Sequence, residues 1–169
     1  MTKGLAFGGK DEFNVEVRET NGDLEVEERQ YHSQVGMVGY YNEKYTIKLE
    51  LPQGASLTVR ADDGNYQIRN INGAISLSLD DADVEMTGCA GNSFRFRMDD
   101  GDLVMDQGKG QLTIDADDAD IRIQGGAFTL IDADTDDGDL VIETSLSDTG
   151  EYTIRAQDGL VALTVTQGG

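Results

Sequence analysis

The chain is poor in cysteine, proline, tryptophan and positive charge, and these scarcities exclude several classes of protein. Among 169 residues there is one cysteine, Cys89, so an intrachain disulfide is impossible. Only 13 lysines and arginines stand against 33 aspartates and glutamates, which leaves a formal net charge of -20. Because nucleic acids and anionic lipid surfaces bind basic patches, we expect neither of them as a partner.

The chain also lacks the segments that would assign it to a compartment. It contains no signal-peptide pattern and no apolar run long enough to cross a bilayer. Composition alone therefore leaves the compartment open. The hydrophobic share of 38% is sufficient for a core, and the length suits a single domain.

The chain is rich in a repeated acidic motif, which we call the acidic phrase. The segment "MDDGDLVM" at residues 98–105 returns as "ADDGNYQI", "LDDADVEM", "ADDADIRI" and "TDDGDLVI", with a degenerate copy, "AQDGLVAL". The first aspartates of the five full phrases follow one another at intervals of 18, 19, 18 and 19 residues: Asp62, Asp80, Asp99, Asp117 and Asp136. A fixed short period indicates stacked repeats.

Apolar and polar residues alternate on both sides of each phrase. Phe94, Phe96 and Met98 precede one phrase, and Leu103 and Met105 follow it, a period of two that predicts a strand, a bend and a strand. Glycines mark a second bend between phrases. One such unit cannot bury its apolar side alone, whereas stacked units share a continuous core. The sequence therefore predicts an all-β parallel β-solenoid with 18–19 residues per rung, where a rung is one full turn of the chain.

The first part of the chain departs from this period. The segment "FNVEVRETNGDLEVEE" predicts an early rung. After it, "RQYHSQVGMVGYYNEKY", with Tyr40 and Tyr41, predicts an irregular cap over the end of the solenoid or, alternatively, a loop that contacts a ligand. We expect one domain, 1–169, with N-terminal strands and a capping loop at 1–54 and repeat rungs at 55–169.

One run carries a resemblance to a known family. The run "YTIKLELPQGASLTVRADDGNYQIRNINGAISLSLDDADVEM" has a strand, a Pro-x-Gly bend and a strand, followed by recurrent glycine-containing turns. It resembles a bacterial family of β-strand-repeat proteins of unknown function that are described as adhesins. The resemblance implies a location in the cell envelope or outside the cell, and it supplies no catalytic residues. The Asp-Asp-Gly-Asp turns replace the family's common Ser-Gly-Asp, and the resemblance leaves this acidity unexplained.

Three functions fit such a fold, since fold alone does not choose among them. The one that we favour is a non-catalytic interaction module whose flat face binds a protein or a glycan. Its candidate contact residues are outward positions upstream of the acidic phrases and two tyrosines of the capping loop: Arg95, Arg97, Asp115, Asp132, Asp134, Tyr40 and Tyr41. The alternative for the charged positions is ion pairing between neighbouring strands, which contributes at most about 1 kcal/mol per pair.

The second function is calcium binding by stacked aspartates, because Ca²⁺ prefers about six to eight oxygen ligands. The candidate ligands are the aspartates of three consecutive phrases: Asp99, Asp100, Asp102, Asp117, Asp118, Asp120, Asp136, Asp137 and Asp139. The chain lacks the G-G-x-G-x-D signature of calcium-binding β-rolls, so we expect no cofactor. The third function is a β-helical carbohydrate-active enzyme, but a uniform ladder of carboxylates does not provide the separated pKa values of an acid and a base.

The end of the sequence predicts self-association. The segment "LVALTVTQGG" still alternates and places Val161, Leu163 and Val165 on one side, with no further repeat after it in this sequence. Exposed strand edges pair with other chains. We therefore expect a homodimer through the C-terminal rung.

Overall fold

The computed structural model describes residues 15–20, 23–28 and 50–168, and all regular structure in these ranges is β-strand. The strands are β1 (Val15–Thr20), β2 (Asp23–Glu28), β3 (Ser56–Arg69), β4 (Ile75–Thr87), β5 (Ser93–Asp100), β6 (Asp102–Ala116), β7 (Asp120–Thr135), β8 (Leu140–Ala156) and β9 (Val161–Gly168). They follow chain order in one sheet, and β2 to β9 pair in parallel. The prediction of an all-β parallel solenoid is confirmed. The predicted capping loop, with Tyr40 and Tyr41, lies outside the described residues.

Strand register converts the sequence period into about six stacked rungs. Equivalent inward residues of successive rungs pair directly: Leu57, Ile75, Phe94, Leu112, Ile131 and Tyr152. The strands β6, β7 and β8 each begin in one rung and end in the next, because they stay paired through the second bend. The acidic phrases form the other bend, so all of them lie along one corner of the solenoid.

The core consists of the inward residues of every rung. Phe96 pairs between Leu77 and Ile114 and is fully buried, as the alternation predicted. The ring centroid of Phe94 lies 6.3 Å from that of Phe96 and 6.3 Å from that of Phe128. Burial of one large apolar side chain stabilises a fold by about 1.5–3 kcal/mol, so these columns supply much of the driving force.

The prediction that the N-terminal segment forms an early rung is wrong. β1 and β2 pair with each other in antiparallel register, from Thr20 opposite Asp23 to Val15 opposite Glu28, and β2 then pairs in parallel with β3. In a rung, the strands on the two sides of a bend pair with neighbouring rungs instead. The residues between β1 and β2 are Asn-Gly, a dipeptide that favours a two-residue hairpin connection. The segment therefore adds a hairpin to the first edge of the solenoid.

Backbone proximity explains why two of the central residues at the acidic corner are glycine. The central residue of successive rungs is glycine or alanine: Gly64, Ala82, Gly101, Ala119 and Gly138. A Cβ atom added at Gly101 would lie 2.3 Å from the carbonyl oxygen of Ala82, and one at Gly138 would lie 2.1 Å from that of Ala119. Gly101 also has a φ of 99°, which disfavours any side chain. Glycine is thus required at Gly101 and at Gly138.

Replacing Phe96 by aspartate should destabilise the fold by several kcal/mol or prevent folding, because it buries a charge with no partner. Thermal melting followed by circular dichroism measures the effect. Arg97→Ser changes the adjacent outward residue and should shift the melting temperature by no more than about 2 °C. A Phe96→Asp variant that melts within a few degrees of the parent would contradict the register.

Gly101→Ala should lower the free energy of unfolding by about 2 kcal/mol or more, because the new Cβ overlaps the Ala82 carbonyl and the backbone is left-handed there. Urea unfolding gives the value. Gly54→Ala is the matched control, since a Cβ at Gly54 would have no heavy atom within 4 Å. Equal free energies for the two variants would show that the corner has room for a side chain.

Candidate functional site

A flat surface, which we call the arginine face, is formed by the outward residues upstream of the acidic corner. Two parallel columns compose it: Thr58, Ser76, Arg95, Thr113, Asp132 and Thr153, and beside them Arg60, Ser78, Arg97, Asp115, Asp134 and Arg155. Neighbouring strands lie about 4.8 Å apart, so each member of a column is close to the next. The fold thus brings together the five predicted contact residues that it describes: Arg95, Arg97, Asp115, Asp132 and Asp134.

Ion pairs on the arginine face involve Arg155. Its Nη1 lies 3.5 Å from Oδ1 of Asp132 and 4.0 Å from Oδ2 of Asp134, and all three side chains are more than half exposed. Exposed pairs of this kind contribute about 0–1 kcal/mol. Cross-strand ion pairing therefore explains Arg155 and its two aspartates.

Arg95 and Arg97 differ from Arg155. Both side chains are exposed, and neither forms a hydrogen bond or ion pair with any residue that the structure describes. Arg97 pairs in register with Asp115, yet no guanidinium nitrogen approaches that carboxylate within 4.0 Å. The two guanidinium groups are open to a ligand in a chain whose net charge is -20.

A shallow groove borders Arg95 on the arginine face. Its polar lining consists of Ser56, Thr58, Ser76, Ser93 and Arg95. Hydroxyl groups beside a guanidinium suit an oxyanion or carboxylate, because charge-assisted hydrogen bonds to such groups are the strong ones. Sequence reasoning did not single out the serines of this groove, since only the register places these small polar residues next to Arg95.

The aspartate corner contains three columns of carboxylates. The columns are Asp80, Asp99, Asp117 and Asp136; Asp81, Asp100, Asp118 and Asp137; and Asp83, Asp102, Asp120 and Asp139. All of these residues are exposed. The nine predicted calcium ligands therefore share one edge of the solenoid.

The third column has a structural task that accounts for aspartate at these positions. The backbone N–H of Asp102 donates to Oδ1 of Asp83 at 3.4 Å, and that of Asp139 donates to Oδ1 of Asp120 at 2.8 Å. The N–H of Leu160 donates to Oδ1 of Asp139 at 3.0 Å. These carboxylates satisfy backbone amides of the following rung at the bend, where a backbone group needs a partner.

The described residues do not form a metal-binding geometry. Within them, no group of three or more histidine, cysteine, aspartate or glutamate side chains is arranged to hold a metal ion. Calcium binding by the aspartate corner stays the alternative function that the sequence left open, and melting experiments can test it.

Cys89 belongs to the core. Its side chain is fully buried, and its Sγ lies 3.8 Å from the carbonyl oxygen of Ile68 and 3.7 Å from that of Thr87. Burial raises the pKa of the thiol. Since the thiolate is the reactive form, this cysteine is unsuited to catalysis.

The stacked rungs, the arginine face and the aspartate corner define a β-solenoid repeat domain. Toastrack DUF4097 matches residues 7–168, and the chain belongs to that family, whose function is unknown. No curated protein and no solved structure is similar enough to the chain to match it. In the described part of the chain, no helix is long and apolar enough to cross a membrane. The match confirms that the chain belongs to a repeat family of unknown function, and it does not confirm the resemblance to proteins described as adhesins.

Higher ionic strength should stabilise the protein, because two unit charges about 5 Å apart repel by about 1 kcal/mol in water and salt screens this repulsion. Raising NaCl from about 0.02 M to about 0.5 M should raise the melting temperature by about 5 °C or more. Ca²⁺ and Mg²⁺ at matched ionic strength should give the same melting temperature. Saturable stabilisation by Ca²⁺ beyond that by Mg²⁺ would instead support a calcium site.

Proposed function

We propose that this chain is a non-catalytic interaction module with an adhesin-like role, which binds a partner through the arginine face. We place it in the cell envelope or outside the cell. The observation that carries the proposal is the pair Arg95 and Arg97. These are exposed cations with no hydrogen bond or ion pair to any described residue, in a strongly acidic chain. Aspartates and an arginine elsewhere on the same face do pair, so the open pair is available to a ligand.

The face carries both signs of charge within a short distance, which favours a protein partner over a glycan. Asp115 lies one strand from Arg97, and Asp132 and Asp134 lie about 10 Å from the arginines, two strand spacings away. A complementary surface needs acidic groups opposite the arginines and basic groups opposite the aspartates. Proteins display both kinds of group side by side, whereas an acidic glycan would match the arginines and be repelled by the neighbouring Asp115.

Rigidity of the strand supports binding at this face. Arg95 and Arg97 flank Phe96 in β5, and the burial of Phe96 fixes the backbone on both sides of it. A surface that is ordered before it binds loses less conformational entropy on association. The backbone positions of the two arginines therefore lie at a fixed spacing of about 7 Å along the strand.

The non-catalytic part of the proposal rests on the uniformity of the aspartate corner. General acid–base catalysis needs two groups in different environments, so that one is protonated while the other is charged. The corner instead repeats exposed carboxylates from rung to rung. The location in the envelope or outside the cell rests on the resemblance to proteins described as adhesins, and fractionation of cells that produce the natural protein measures it.

Binding to arrays of mixed-charge peptides and of acidic oligosaccharides tests the proposed function. We expect the chain to bind a subset of the peptides, and Arg95→Ser/Arg97→Ser to weaken that binding by at least about tenfold, because the charge-assisted contacts are lost. The matched control is Lys109→Ser/Arg122→Ser, which removes two exposed positive charges outside the arginine face.

Each other outcome on the arrays would contradict part of the proposal. Equal loss in both double variants would show a general charge effect without a site on the arginine face. Binding to acidic oligosaccharides alone would make the partner a glycan. The absence of binding on both arrays would contradict the proposal that the arginine face binds a partner of mixed charge.

A further inference from the structure

The last rung exposes the apolar side that every earlier rung buries. In β9, Val161, Leu163 and Val165 are 38%, 40% and 45% exposed. The residues that pair with them one rung earlier are at most 1% exposed: Leu140, Ile142 and Thr144. Among the described strands, none pairs with the outer edge of β9. This C-terminal end therefore combines an open strand edge with an open piece of core.

Acidic residues become fewer at the same end, where Asp158 is still exposed at the corner. The register pairs Thr164 with Glu143, and hydrogen bonds place Leu160 beside Asp139 and Gln157 beside Asp136, so three acidic positions of the preceding rung become uncharged. The chain contains no charged residue from Leu160 to Gly169. Leu160 is also the most exposed large apolar residue of the described chain, at 59%. Charges on an edge strand prevent pairing with other chains, and β9 has none.

The charge of the whole chain indicates which occupant fits this end. Two copies that each carry a net charge of -20 repel one another, and the aspartate corner concentrates that charge along one edge. β9 contains no acidic residue, so two copies can approach along the edge of β9 without placing acids against acids. At the opposite edge of the sheet, β1 has the sequence VEVRET, in which half of the residues are charged. Pairing of two C-terminal ends is therefore favoured over head-to-tail pairing.

We propose that the C-terminal end binds the same end of a second copy. The two β9 strands pair antiparallel about a two-fold axis, and the inward valines and leucine of each copy cover those of the other. Such an isologous contact uses the same residues on both sides, so it closes both open edges and stops at two copies. The arginine faces of both copies stay exposed in this dimer.

Sedimentation equilibrium of the full chain, from about 1 µM to about 1 mM, tests the proposal. We expect a species of twice 18.3 kDa that dissociates on dilution. Leu160→Asp/Thr164→Glu restores the acids of the preceding rung at two exposed positions, so it should weaken dimerisation by at least about tenfold without loss of folding. Val104→Asp is the control, because it adds charge at an exposed apolar residue away from β9 and should leave dimerisation unchanged.

Hydrogen exchange provides a second measurement that does not depend on the variants. The amides of β9 should exchange more slowly as protein concentration rises, while the amides of β5 show no such dependence. A folded chain that is monomeric at all concentrations would overturn the proposal, whether the end is then open or covered by a different partner. Growth beyond two copies, or association that persists in the Leu160→Asp/Thr164→Glu variant, would overturn it as well.

Discussion

In-register parallel pairing of the backbone is the constraint on which the rest of the structure depends. It aligns each residue with the residue one rung later, so a period in the sequence becomes a column in space. One set of columns forms the core around Phe96, and the sets beside it form the arginine face and the aspartate corner. A slip of one residue would place the core residues in water. The apolar alternation therefore fixes the register, and the register fixes every surface column.

The same pairing creates the two features that distinguish this solenoid from a plain stack. It brings like charges together at the aspartate corner, where part of the acidity is used to accept backbone amides of the next rung, as Asp120 does for Asp139. It also leaves Arg95 and Arg97 next to uncharged Thr113 and to Asp115 without an ion pair. Backbone hydrogen bonds thus account for part of the aspartate corner, whereas Arg95 and Arg97 form no hydrogen bond or ion pair with a described residue.

The columns could be predicted from the sequence because a period of two and a repeat of 18 or 19 residues fix them. The N-terminal hairpin could not, because a strand, a bend and a strand have the same pattern whether the strands pair with each other or with neighbouring rungs. Arg155 forms ion pairs and Arg97 does not, and the register alone could not distinguish them, because ion pairing depends on the conformation of each side chain. The alternation of apolar residues does not indicate that the hydroxyl of Tyr152 accepts the N–H of Ser147 and donates to the carbonyl oxygen of Phe128.

Charge reversal measures the role of the arginine face most directly. The variant Arg95→Asp/Arg97→Asp should lose affinity for a mixed-charge peptide that the natural chain binds, and replacing the acidic residues of that peptide by lysine should restore it, because the attraction between opposite charges is re-formed with the signs exchanged. We expect the aspartate variant to bind the lysine peptide. We expect weak binding of the aspartate variant to the original peptide and of the natural chain to the lysine peptide. A folded variant that binds the original peptide as tightly as before, or that does not bind the lysine peptide, would contradict recognition by this face.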